Sequence, residues 1–190
     1  MDLILVADSL ESTQPLLKVA SKSGYRILKL VESNDDASRY VSSLHPDVVI
    51  FVSDEIDRTV LQQMRVINEK QATPMIVFTR DSQQFSIDAA IKAGASAYIV
   101  DCYDPDRLGS LIGVAKARFD EQQHMKKELL QTKMALNERK SVEKAKGIIM
   151  KTKNVSEDEA YNAIRKLAMN RNKRMGEISE QIISTAEILV

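Results

Sequence analysis

The chain has 190 residues, 27 Lys and Arg balanced by 27 Asp and Glu, 44% hydrophobic residues and one cysteine, Cys102. That composition suits a globular domain with room for a small second module, and it excludes an intramolecular disulfide or a zinc site built from cysteines. No run approaches the roughly 18 apolar residues of a membrane span, and "MDLILVADSLES" lacks the basic flank of a secretory signal, so a cytoplasmic protein with no membrane partner is expected.

Along the first hundred residues, short apolar runs alternate with helical patterns. "LILVA", "DVVIFV", "PMIVFT" and "AYIV" read as strands buried on both faces of a parallel sheet, with "YRILKLV" a weaker, alternating one. Between them, apolar helix faces are marked by Leu16, Leu17 and Ala20, by Ala37, Tyr40, Val41 and Leu44, by Val60, Leu61, Met64 and Ile67, and by Ile87, Ala90 and Ile91. Gly24 and Gly94 are natural stops. The pattern predicts an α/β domain over 1–106, a doubly wound five-stranded parallel sheet. Sites in such sheets sit at the carboxyl ends of the strands. Here those ends carry Ala7, Asp8, Val52, Asp54, Thr79 and Asp101.

Pro105 and Asp106 suit the first turn of a helix, and no proline follows before Lys153. A long helix is therefore expected, with 107–140 as linker. Ile112, Ala115 and Phe119 form a stripe able to pack on the sheet. Met125, Leu129, Thr132 and Leu136 then recur at steps of four and three, a short coiled-coil signal that predicts a homodimer. A lone amphipathic helix is the plainer alternative.

Residues 141–190 read as a small three-helix all-α domain. Val142, Ala145, Ile148 and Ile149 face one way on the first helix. Ser156 and Glu159 form a capping box for the second, which offers Ala160, Ala163, Ile164 and Leu167. "MNRNKRM" is the next break, and Ile178, Ile182 and Ile183 mark the third helix. The charge balance shifts along the chain: residues 1–110 hold about 11 basic against 16 acidic residues, and 111–190 about 16 against 11. Lys144, Lys146, Lys151, Lys153, Arg165, Lys166, Arg171, Lys173 and Arg174, with Asn172, are candidates for phosphate and base contacts. Gly147 permits close backbone approach. Tyr161 is either a stacking ring or a core tyrosine.

"ILVAD", "HPDVVIFV", "MIVFT" and "KAGASAYIV", in this order and spacing, resemble the receiver domain of response regulators. That family binds Mg²⁺ with an acidic pair, phosphorylates an aspartate ending the third strand, and reads the phosphate with a Ser/Thr and a Lys. Here Asp8 keeps one acid, the other position is Ala7, the acceptor position is Val52, Thr79 matches the hydroxyl and Asp101 replaces the lysine. Valine cannot accept a phosphoryl group, and one carboxylate is a poor hard-cation site. The resemblance thus implies a degenerate, phosphorylation-independent site with no metal and no cofactor. Asp54 is either a substitute acceptor or, more plainly, a loop acid or helix cap. Thr79 is expected to satisfy backbone.

"AKGIIM" and "SEDEAYNAIRKLAMNRNKRMGEISEQII" resemble the ANTAR module, an RNA-binding antitermination domain. Ala145, Lys146, Gly147, Ala160, Tyr161, Arg165, Ala168 and Asn172 stand at its matching positions. The combination is similar to nitrate/nitrite-responsive antiterminators of the NasT type. It implies binding to paired hairpins in leader mRNA, and a sensor protein that engages the receiver-like domain. No nucleophile–base set or phosphate-cradling loop suggests an enzyme. A DNA-binding response regulator and a protein-only signalling scaffold are the rivals. The acidic and apolar third helix, "GEISEQIISTAEIL", is poorly suited to reading a major groove.

Overall fold

The structure, a computed structural model, describes residues 1–101 and 107–188. Cys102 and the expected helix start at Pro105 and Asp106 lie outside the described residues. Five strands, β1 (Asp2–Ala7), β2 (Arg26–Glu32), β3 (Val48–Val52), β4 (Met75–Thr79) and β5 (Ala97–Val100), form a parallel sheet ordered β2-β1-β3-β4-β5. They alternate with α1 (Leu10–Lys22), α2 (Ala37–Leu44), α3 (Arg58–Lys70) and α4 (Gln84–Ala93). Every residue of β3 and β4 is buried, which is why those strands read as unbroken apolar runs. β2 is an edge strand with mixed exposure, which accounts for its alternation.

Successive strand residues point to opposite faces. Ile4, Val6, Phe51 and Val77 pack with Val41, Met64, Ile67 and Ala90. Leu3, Leu5, Ile50, Val52 and Phe78 pack with Leu16, Val19, Leu108, Ile112 and Ala115. On α4 the buried residues are Ser86, Ala90 and Ala93, whereas Ile91, expected to face the core, is exposed.

Helix α5 runs from Leu108 to Lys153. Because its first turns supply Leu108, Ile112 and Ala115 to the sheet core, the first compact unit extends to Gln123, beyond the expected boundary at 106. The second unit, from His124 onward, holds the rest of α5, then α6 (Glu157–Arg171) and α7 (Met175–Ile188). Its core is Ala145, Ile164, Ala168 and Ile178, flanked by Ile149, Met175, Ile182 and Ile183. The alanines permit close helix approach. Glu138, assigned to the linker by sequence, belongs to this unit: the Gly176 amide donates to its carboxylate at 3.1 Å. A Cβ on Gly176 would lie 2.8 Å from the Glu138 side chain, which would have to shift to admit it.

Both halves of the capping box at Ser156 and Glu159 are formed. Asn154, just past α5, and Asn172, which closes α6, adopt left-handed conformations. The break expected across "MNRNKRM" begins only at Asn172; Met169, Asn170 and Arg171 are helical. Among the described residues, no helix is long and apolar enough to cross a membrane.

Candidate functional site

In the sheet unit, strand order reverses around β1, so its crevice lies between the carboxyl ends of β1 and β3. The crevice is bridged. The Ser53 hydroxyl, just past β3, donates to the carboxylate of Asp8, just past β1, and lies 2.5 Å from the Glu55 carbonyl. Ser53 is buried, as are Ala7 and Val52. Thr79 is also buried; its hydroxyl donates to the Asp54 carbonyl at 3.0 Å and accepts from the Asp81 amide at 3.1 Å. Asp101 sits in the left-handed region with its amide donating to the Thr79 carbonyl at 3.1 Å.

The donors left here do not fit a magnesium site. Asp8 is the one carboxylate of the expected pair, and it is engaged by Ser53. Asp54 is exposed and 3.5 Å from Arg80. The helix cap considered for Asp54 is made by Asp57, which accepts from the Val60 amide at 2.8 Å. Among the described residues, no group of three or more His, Cys, Asp or Glu is placed to hold a metal.

Beside this end lies a depression of about 610 Å³ between the loops at 54–57 and 80–86. Its β4–α4 wall is fixed by Asp81, which accepts from the Gln83 amide at 2.8 Å, and by Tyr98, whose hydroxyl donates to the Asp81 carbonyl at 2.9 Å. Hydrogen bonding from Ser86, then from the Gln83 amide, lowers the Asp81 carboxyl below its ordinary range. Burial, helped by the charge of Asp81, raises the Tyr98 phenol. Neither Ser53 nor Tyr98 was singled out by sequence. Their partners lie 45 and 17 residues away.

In the helical unit, Tyr161, Arg165 and Met169 recur every four residues on α6, all exposed, forming one solvent-facing stripe. Tyr161 is 41% and Met169 71% exposed, so the tyrosine is not a core residue. Lys166 is exposed next to this stripe, and Lys151, Lys173 and Arg174 are exposed outside it. Met169 was missed because its neighbours look like turn residues, although its spacing from Tyr161 and Arg165 was there to be read.

The other candidates are differently engaged. Lys144 pairs with Glu187 at 2.8 Å on the surface. Arg171 turns toward α7 and donates to Gln181 at 3.3 Å. Asn172 serves as the left-handed cap, its amide meeting the Ala168 and Met169 carbonyls. Gly147 has no atom within 4 Å of where a Cβ would stand, so no internal contact requires it. Lys146 departs most from expectation. Its ammonium lies 2.5 Å from Glu157 and 2.9 Å from Glu143, and its side chain is only 9% exposed. The bond to Glu157, then that to Glu143, raises the Lys146 ammonium above its ordinary range, and Lys146 lowers Glu157. Along α5, Met125, Leu129, Thr132 and Leu136 are exposed, and so are Leu130 and Met134 beside them.

The chain thus holds a sheet unit at its front and a helical unit rich in exposed cations behind it. Residues 130–183 match the ANTAR domain, so the chain joins a unit of receiver-like fold to an ANTAR domain. It is 28% identical over 170 residues to the transcriptional regulatory protein PdtaR of Mycobacterium tuberculosis, covering 90% of this chain and 83% of that one. It is 36% identical over 74 residues to the nitrate regulatory protein of Klebsiella oxytoca, covering 39% of this chain and 19% of that protein. Among solved structures, the receiver domain of a modulated diguanylate cyclase from Desulfovibrio desulfuricans G20 superposes with a TM-score of 0.56 at 17% identity. It covers 64% of this chain and 97% of that one. The receiver domain of a response regulator from Mycobacterium tuberculosis gives 0.54 at 13% identity, covering 60% and 95%. These two likenesses bear on the fold alone.

Proposed function

We propose that this chain is a non-enzymatic transcription antitermination regulator that binds paired hairpins in leader mRNA through its ANTAR unit. The exposed stripe of Tyr161, Arg165 and Met169 supports the assignment most strongly. A ring, a guanidinium and a flexible apolar side chain suit unpaired bases held in a hairpin loop, where RNA is usually read. Lys151, Lys166, Lys173 and Arg174 supply exposed cations for phosphates. The stripe of Met125, Leu129, Thr132 and Leu136 pairs with that of a second copy, so that two ANTAR units meet two hairpins.

The receiver-like unit serves as a phosphorylation-independent input, engaged by a sensor protein at the loops following β1, β3 and β4. A response to nitrate is inferred from the likeness to the nitrate regulatory protein of Klebsiella oxytoca. Crosslinking in cells, followed by sequencing of the bound RNA, tests the assignment. Enrichment of tandem hairpins ahead of terminators is expected. Recovery of duplex DNA instead would favour the DNA-binding alternative, and recovery of neither would favour a protein-only scaffold.

A further inference from the structure

Lys146 is placed unlike a lysine that meets phosphate. Its side chain is largely enclosed, while the carboxylates it binds, Glu143 and Glu157, are exposed by more than half. An ammonium has three donors, and two of these are committed. Lysines are rarely buried unless paired, and withdrawing a partner leaves a charge uncompensated. Glu143 lies three residues back on α5, but Glu157 is the first residue of α6, so the contact crosses the turn between the two helices. Acids in the first turn of a helix already favour its dipole, and Glu157 adds an anchor to the preceding helix. Tyr161 stands one turn further along α6, at the head of the exposed stripe.

We propose that Lys146 is a positioning residue for RNA recognition and not a phosphate contact. Through Glu157 it fixes the start of α6 on α5, and so sets Tyr161, Arg165 and Met169 against the cations of α5. The proposal rests on the RNA-binding assignment. It makes the opposite prediction for Glu157 from that of a contact lysine. Were Lys146 to meet phosphate, removing the competing Glu157 charge would tighten RNA binding; as a positioning pair, removing either member weakens it.

The test uses the full chain and a synthetic RNA of two stem-loops in tandem, titrated over a series of salt concentrations. Lys146→Met and Glu157→Gln should each weaken binding by about ten-fold, the scale of one charged hydrogen bond, with the double variant no worse than either single one. Their logarithmic salt slopes should stay parallel to wild type. Lys151→Ala should lower the slope by about 0.7–0.9, the signature of one lost phosphate contact. Without RNA, amide exchange across residues 157–161 should quicken in Lys146→Met and Glu157→Gln and not in Lys151→Ala. A flatter salt slope in Lys146→Met, or tighter binding by Glu157→Gln, overturns the proposal. Failure of the wild type to bind RNA would bring down the RNA assignment. Exchange would then decide the structural role, and unchanged rates in both variants would refute it.

Discussion

The Thr79 hydroxyl donates to the Asp54 carbonyl at 3.0 Å, tying the end of β4 to the loop after β3. In a phosphate-reading receiver that hydroxyl would be available to a phosphoryl group; here it holds backbone. Incubation with Mg²⁺ and a small phosphodonor should therefore add no mass to the chain, and Asp54→Asn should leave antitermination within about two-fold of wild type, as expected of an exposed loop acid. Val52→Asp should not restore phosphorylation, because Ala7 and Asp101 remain. It should destabilise the unit by burying a carboxylate in the apolar core, across the strand pair from Phe78. A stoichiometric phosphate on Asp54 would defeat this prediction.

Removal of the receiver-like unit should be made at Gln123. A chain starting at His124 is predicted to bind RNA without control by a partner, since the second unit has its own core. A chain starting at Arg107 exposes Leu108, Ile112 and Ala115, which the sheet normally covers, and should aggregate at concentrations where the shorter one stays soluble. Light scattering and RNA titration of the two fragments check this. Ligand-dependent control surviving in the shorter fragment would rule out a regulatory role for the receiver-like unit.

The exposed apolar stripe of α5 yields a further test. Leu129 is 56% and Leu136 52% exposed in a single copy, and neither belongs to the core of the helical unit, so Leu129→Glu with Leu136→Glu removes little internal packing. The pair of substitutions should leave helical circular dichroism intact and convert a dimer to a monomer in sedimentation. Affinity for tandem hairpins should fall toward that for one hairpin, by about 10²-fold or more as avidity is lost. An unchanged sedimentation coefficient would mean that the stripe is not the dimer seam.

Stability of the helical unit should depend on acid in a defined direction. Lys146 lowers Glu157, and hydrogen bonding with the Ser156 backbone, then its side chain, lowers Glu159. Groups held below the ordinary glutamate value of 4.5 stabilise the fold fully above that value. Their contribution is lost as pH falls through the depressed folded values. Lys146 works in the opposite sense. Raised above 10.5, it contributes below that value and its contribution fades as pH rises through the elevated one. The melting temperature should therefore change little between about pH 6 and 9 and decline below about 4.5, with a shallower acid decline in Glu157→Gln. An acid decline as steep in Glu157→Gln as in wild type would remove the pair from the account.

Most of the fold was legible because its signals are local. The runs at β1, β3 and β4 are apolar at every step since both faces are covered, and the left-handed turn at Gly94 and the capping box at Ser156 need only a few residues to be read. The unit boundary was not legible, because α5 passes through Gln123 without a glycine or proline to mark the change. The pairing of Lys146 was hidden for a different reason. Sequence shows a charge but not its partner, and Glu157 is 11 residues away across a turn. Arg171 and Asn172 looked like free polar groups in a loop. Helix α6 runs on to Arg171, directing it toward Gln181 and leaving Asn172 as the cap.

The most direct measurement is the affinity of the full chain for a tandem-hairpin RNA, set beside that for duplex DNA of the same sequence, in wild type and in a Tyr161→Ala/Arg165→Ala variant. The account predicts binding to RNA that weakens steeply with salt, little binding to the duplex, and a loss of about 10²-fold or more in the variant with its helical content unchanged. Equal affinity for the duplex, or a variant that binds RNA as well as wild type does, would contradict it.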